Sequence, residues 1–214
     1  MKDFQKNRGV IMYFNRKKYL DKLIAKMNNS LIKVITGARR SGKSFLMNNI
    51  FYNYLKSIGV NEQNIIRFAF DNDEHIDLLE SFYPEENTKI KVRKDVYSIN
   101  SRKFRAYIKS VTNTEEKFYI LLDEIQILDG WQDACKTLRL DNNSVFITGS
   151  NSKLLSKEFT KELSGRYVSF RVRPFVYKEI LEYTKELGKE CTITDYLVWG
   201  GFPKRFEFDT EDVD

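Results

Sequence analysis

The sequence predicts an α/β fold: a three-layer αβα sandwich around a mainly parallel sheet. Three observations carry the expectation. Short apolar runs of strand length alternate along the chain with stretches of helical period. The runs are close to continuously apolar, as strands buried on both faces are. Glycine-rich and polar stretches fall directly after them, at what would be the carboxyl ends of the strands, where open α/β sheets bind ligands.

The elements follow in order. Tyr19, Leu20, Leu23, Ile24 and Met27 recur at helical spacing, and LIKVIT then reads as the first strand. From Ser44 the positions Leu46, Met47, Ile50, Phe51, Tyr54, Leu55 and Ile58 form a wide helical stripe that Gly59 closes. IIRFAF (65–70) is the second strand. Residues 71–99 are highly charged, carry Pro84 and show no sustained period, so loops and a short helix are expected there. SRKFRAYIKSV (101–111) is a helix and KFYILLDE (117–124) the third strand. A helix around 131–140, the strand SVFITGS (144–150), a helix around 151–163 and the strand RYVSFRV (166–172) complete the sheet. Pro174 opens a further helix that Gly188 stops, and Thr192 and Asp195 have the spacing of a capping box for the next. The division expected is a core of residues 1–173 with its N-terminal helix. Helices of 174–214 would then begin a lid or a second domain.

Composition narrows the function classes. The 214 residues carry a net charge of +6, which permits a polyanionic partner such as nucleic acid without showing one. No run approaches 18 apolar residues and the N-terminus lacks a signal-peptide core, so a cytoplasmic protein with no membrane partner is expected. Cys135 lies in phase with Trp131, Ala134 and Leu138 and reads as a core residue, and two isolated cysteines suit a reducing compartment. His75 has no partners for a metal site and reads as a surface residue.

The most informative stretch is GARRSGKS, which satisfies G-x-x-x-x-G-K-[ST]. Gly37 and Gly42 let the backbone turn tightly and approach phosphate oxygens. The amides of Gly37, Ala38, Arg39, Arg40, Ser41, Gly42, Lys43, Ser44 and Phe45 then face an anion at a helix N-terminus. Lys43 can reach the β- and γ-phosphates, and the Ser44 hydroxyl can join a Mg²⁺ shell. Arg39 and Arg40 read equally well as contacts to phosphate, a neighbouring subunit or an acidic partner and as solvent-facing residues.

FYILLDE places Asp123 and Glu124 where an apolar strand ends. Asp123 can bind Mg²⁺ and Glu124 can polarise an attacking water. No N/T-K-x-D guanine motif is present, so the pair favours ATP hydrolysis. It also favours the P-loop NTPase sandwich in which one strand intervenes between loop strand and acid strand, giving the order 5-1-4-3-2. The intervening strand ends in Thr148, Ser150 and Asn151; Ser150 first and Asn151 second are candidates for holding the water, or caps of the following helix. Arg166 is a candidate for reaching γ-phosphate from its own chain or a neighbour, or a plain surface arginine.

Together VITGARRSGKSFLM, FYILLDEIQILDGWQDACKTLRLD, VFITGSNSKLLSKEFTKELSGRY, RPFVYKEIL and YLVWGGFP resemble the prokaryotic AAA-type ATPases, over about residues 12–206. The likeness is to the group whose ATPase core precedes a C-terminal domain of unassigned function. It implies that Gly37 to Ser44 are the Walker A loop, Asp123 and Glu124 the Walker B acids, ITGSNS the sensor region and Arg166 the arginine of LSGR. Gln126 and Trp131 also match, the latter as a packing residue. Ala38 stands where proline is common. Members usually continue into a second domain, so a fragment, a shortened relative or a partner-dependent half is expected here. The implied ligands are ATP and Mg²⁺, and the implied partner is a homo-oligomer or a C-terminal effector domain. The implied activity is an ATPase that drives a conformational change. A slow nucleotide switch awaiting its missing domain, and a small-molecule phosphotransferase, remain alternatives.

Overall fold

A computed structural model describes residues 16–141, 143–149, 162–186, 188 and 190–202. Helix α1 (Lys17–Ile24) precedes β1 (Ile32–Gly37). The helical run after the loop has three parts: α2 (Lys43–Phe45), a π-helical stretch (Leu46–Phe51) and α3 (Tyr52–Ser57). Then follow β2 (Ile65–Ala69), α4 (Asp73–Asp77), β3 (Lys89–Arg93), β4 (Val96–Ile99), α5 (Ser101–Val111) and β5 (Tyr119–Asp123). The described chain closes with α6 (Trp131–Leu140), β6 (Ser144–Thr148), β7 (Tyr167–Val172), α7 (Tyr177–Glu186) and α8 (Ile193–Trp199).

Five strands form one sheet in the order β2-β5-β6-β1-β7. Every pairing in it is parallel. Read from the other edge, this is the expected order 5-1-4-3-2. Alternation along each strand sends side chains to two separate cores. Ile120 and Leu122 of β5, Val145 and Ile147 of β6, and Ile32 and Val34 of β1 face the side covered by α5 and α6. Tyr119, Leu121, Phe146 and Ile35 face the other side, against Leu23 of α1 and Met47, Phe51 and Leu55 of the post-loop helix. These three strands thus have helices on both sides, and β5 in particular reads as an unbroken apolar run.

One residue breaks that run. Lys33 of β1 is fully buried on the Phe146 side, its Nζ donating to Asn29 O (2.8 Å) and Ser144 Oγ (3.1 Å). Burial, with Lys117 nearby adding to it, pushes the Lys33 ammonium down to about 8.

The structure departs from the sequence reading in four places. Residues 71–99 contain a short helix as expected, and also the antiparallel hairpin β3–β4. All five residues of β3 are exposed, so the segment has no apolar face to advertise itself. Helix α7 begins at Tyr177 rather than at Pro174, because Phe175 is held by its N–H donating to Gly201 O at 2.6 Å. His75 is half-buried rather than free at the surface: its Nδ1 accepts the Ala69 N–H at 2.8 Å and its ring lies 5.4 Å from that of Phe68. Ile58, expected in the stripe, is 46% exposed. The helix expected at 151–163 lies almost wholly outside the described residues. Phe175, Ile180, Tyr183 and Cys191 form a third, small core separate from the two that cover the sheet.

Candidate functional site

The carboxyl ends of β1, β5 and β6 lie side by side, because β6 pairs with both of its neighbours in parallel register. The loop that leaves β1 therefore sits beside the acids that end β5. Gly37 is a close-approach glycine: a Cβ there would lie 2.2 Å from Val172 O of β7 and 2.8 Å from Ser41 Oγ. Gly42 has φ 88° and Arg40 φ 63°, left-handed conformations that wind the loop back onto the helix start. Lys43 is buried, and its Nζ donates to Ala38 O (2.9 Å) and Gly37 O (3.3 Å), so the ammonium closes the loop and keeps one further N–H for an anion. Burial lowers its pKa, while Glu124 and Asp123 act in the opposite sense. Ala38, Arg39 and Arg40 are exposed at the rim. Phe45 is partly buried against the Leu46 and Met47 core. The Ser41 hydroxyl is buried without a partner among the described residues.

Asp123 is the hub. Its Oδ1 accepts from Ser44 Oγ (3.0 Å) and from Thr148 Oγ1, and its Oδ2 accepts from Asn48 Nδ2 (3.2 Å). Thr148 Oγ1 in turn accepts the Glu124 N–H at 3.2 Å. One hydrogen-bonded chain thus joins the loop, the acid strand and the intervening strand. Glu124 adopts φ 52°, unusual for a side-chain-bearing residue and a form of strain that concentrates at functional sites. Its carboxylate accepts from Gln126 Nε2, which holds it in one orientation; Gln126 Oε1 is buried with no partner among the described residues.

Among the described residues no group of three or more His, Cys, Asp and Glu is arranged to hold a metal. The donors at the hub are a carboxylate and a hydroxyl. This hard oxygen set fits Mg²⁺, which keeps most of its water and takes one or two protein oxygens.

Arg16, which the sequence reading did not single out, braces the loop from behind. It is 3% exposed and donates from Nη1 to Ser41 O (2.8 Å) and from Nη2 to Arg173 O, just past β7. Its guanidinium lies 4.8 Å from the Tyr19 ring and 4.7 Å from the Phe175 ring, with Glu179 of α7 at 3.8 Å. The two carbonyls it holds are 25 and 157 residues away in sequence, so no local signal marks it. Asn48 was missed for a similar reason: a polar residue on an apolar helix reads as its solvated side.

The structure does not bring Arg166 to this site within the chain. Arg166 O accepts the Ile32 N–H at the amino end of β1, and its side chain donates to Glu162 O at 3.3 Å. Gly37 lies at the other end of that strand, about 16 Å away at strand rise. Ser150 and Asn151 lie outside the described residues. Trp131 is 7% exposed in the core, as its packing role requires, and burial pushes the Cys135 thiol up to about 12.

A parallel sheet with a glycine-wound loop after β1, and an acid pair on β5 with one strand between them, defines an AAA-type P-loop protein. The chain belongs to the AAA-domain family, whose model matches residues 29–181. It is 34% identical over 195 residues to an uncharacterized protein of Haemophilus influenzae, covering 88% of this chain and 44% of that one. An uncharacterized protein of Methanocaldococcus jannaschii is 29% identical over 197 residues, covering 85% and 38%. The chain therefore spans less than half the length of these relatives. Among solved structures, AMPPCP-bound DnaA from Aquifex aeolicus superposes with a TM-score of 0.55 at 20% identity, covering 90% of this chain and 58% of that one. Saccharomyces cerevisiae Hsp104 in its casein complex gives 0.54 at 14% identity, covering 89% and 35%. At these identities the likeness is one of fold. No helix among the described residues is long and apolar enough to cross a membrane.

Proposed function

We propose that the chain binds Mg-ATP on the Gly37–Ser44 loop, hydrolyses it to ADP and phosphate, and uses the cycle to reposition a neighbouring domain or subunit. The observation that carries this reading is the hydrogen-bonded chain Ser44–Asp123–Thr148–Glu124. It joins Ser44 of the loop and the Asp123 and Glu124 residues in one hydrogen-bonded unit, which supports their acting together. Loop amides and Lys43 would hold the phosphates. Ser44 and Asp123 would hold magnesium, directly or through water; the ion would offset phosphate charge. Glu124, oriented by Gln126, would accept a hydrogen bond from the attacking water and take its proton. Ser150 and Asn151, following Thr148 in sequence, remain candidates for steadying that water.

Phosphate release from Mg-ATP tests the reading. Glu124→Gln should retain nucleotide binding and lose turnover, and Lys43→Ala should lose binding. Turnover unchanged in Glu124→Gln removes Glu124 as the base. No heat on titrating wild-type chain with Mg-ATP removes the whole reading.

A second reading, a nucleotide switch that is slow when alone, has an observation of its own: Arg166 sits at the far end of β1 from the loop. If that guanidinium reaches a γ-phosphate, the nucleotide would be one held by a neighbouring subunit. Turnover per chain that rises with protein concentration, and ceases to do so in Arg166→Ala, supports this. Concentration-independent turnover equal in both proteins excludes it.

A further inference from the structure

Beside Arg16 lies a cleft of about 710 Å³ walled by α1, the edge strand β7 and α7. Its lining includes Lys17, Lys18 and Lys22 of α1, Arg171 of β7, and Arg173. All five are exposed. The two carboxylates of the cleft are already engaged, Glu179 with Arg16 at 3.8 Å and Glu182 with Lys178 at 4.0 Å. Among the described residues none of the five cations has a carboxylate within 4.0 Å. A concave surface carrying five uncompensated charges focuses a positive field.

Stability does not account for the arrangement. Lys17 and Lys18 occupy the first turn of α1, which contains no acid. Cations there oppose the helix dipole by roughly 0.3–1 kcal/mol each. Arg171 lies on β7 and Arg173 just past its end, at the sheet edge where, among the described residues, β7 has β1 as its one strand partner. Tyr19 also lines the cleft, its hydroxyl accepting the Arg173 N–H at 3.2 Å.

We infer that this cleft binds the sugar–phosphate backbone of a single-stranded nucleic acid. A phosphodiester chain supplies one charge per nucleotide without interruption, matching cations on both walls. Arginine forks pair with phosphate in two-pronged fashion. A basic groove with an aromatic side chain at its wall is the arrangement that single-strand binders use. A duplex presents only its outer surface and does not enter a cleft of this size. The site is separate from the phosphate loop, so binding there needs no nucleoside triphosphate.

Fluorescence anisotropy of a short labelled single-stranded oligonucleotide, without nucleotide or magnesium, tests the inference. Five phosphate contacts at about −0.7 each give a slope of log K against log salt of about −3.5. Lys18→Ala/Lys22→Ala/Arg171→Ala should leave a slope of about −1.4. Lys22→Glu alone, a substitution at an exposed helix position, should weaken binding in the same direction and guards against misfolding of the triple variant. A control, Lys89→Ala/Lys91→Ala/Arg93→Ala in the exposed hairpin, should keep the wild-type slope. The inference is overturned by absence of binding at low salt, by an unchanged slope in the cleft variants, or by loss in the hairpin control instead. It is equally overturned if polyglutamate displaces the oligonucleotide at equal charge concentration, which would assign the cleft to an acidic protein segment.

Discussion

Replacing Arg16 by lysine keeps the charge and removes the fork. In the native chain one guanidinium spans Ser41 O in the phosphate loop and Arg173 O beyond β7, between two aromatic rings. A single ammonium can reach one carbonyl while lying between those rings, and not both. One charge-assisted hydrogen bond is worth about 1.5–3 kcal/mol. The lost ring contacts add about 0.5–1 kcal/mol. At about 2–4 °C per kcal/mol for a chain of this size, thermal unfolding should fall by roughly 5–15 °C. The effect should extend to nucleotide. The Ser41 carbonyl and the Gly42 N–H belong to one planar peptide and point opposite ways, so releasing the carbonyl frees a loop amide to turn. Each 1.4 kcal/mol lost in that amide's contact weakens Mg-ATP binding about tenfold. Differential scanning fluorimetry and calorimetric titration on Arg16→Lys measure the two effects. A variant with wild-type melting temperature and wild-type affinity would refute the bracing role.

Three further outcomes are expected. Gly37→Ala forces a Cβ to within 2.2 Å of a main-chain oxygen, so it should destabilise the chain by about 1–3 kcal/mol and weaken nucleotide binding; wild-type affinity by calorimetry contradicts the geometry. Thr148→Val removes the hydroxyl between Asp123 and the Glu124 N–H, and should cost about 1–3 kcal/mol in denaturant unfolding and lower kcat more than affinity; an unchanged kcat argues against the shared hydroxyl. Lys33, held at about 8 when folded against an ordinary value of 10.5, is bound to a proton in the unfolded chain over an interval where the folded chain has released it. Its charged form penalises folding below pH 8, so stability should rise by up to about 3 kcal/mol from pH 8 to 10.5 relative to Lys33→Met. Parallel denaturation curves for the two proteins across that window contradict the assignment.

The sheet and the loop were legible because each rests on a local pattern. Continuous runs such as ILLD are diagnostic of strands covered on both faces, and GARRSGKS encodes its own backbone turns. The acids showed where an apolar run ends, and the strand order followed from the branch of P-loop proteins that the loop and the acid pair together indicate. What stayed hidden depends on contacts between distant residues. Arg16 and Asn48 are polar in sequence and acquire meaning only when Ser41 and Asp123 arrive beside them. The β3–β4 hairpin alternates lysine with valine and isoleucine yet buries little, so burial could not write its usual signature. Phe175 belongs to a turn rather than a helix because of Gly201, 26 positions later, where an added Cβ would meet Phe175 O at 1.9 Å.

The position of β1 between β6 and β7 has a consequence for biosynthesis. Its Lys33 pairs in register with Phe146 on one side and Val168 on the other. An emerging polypeptide thus exposes its anion-gripping segment early and can complete it only when the last two sheet partners have left the ribosome. Until then that stretch waits as a naked hydrophobic template, and ligand capture during translation should report completion of nearly the entire sheet.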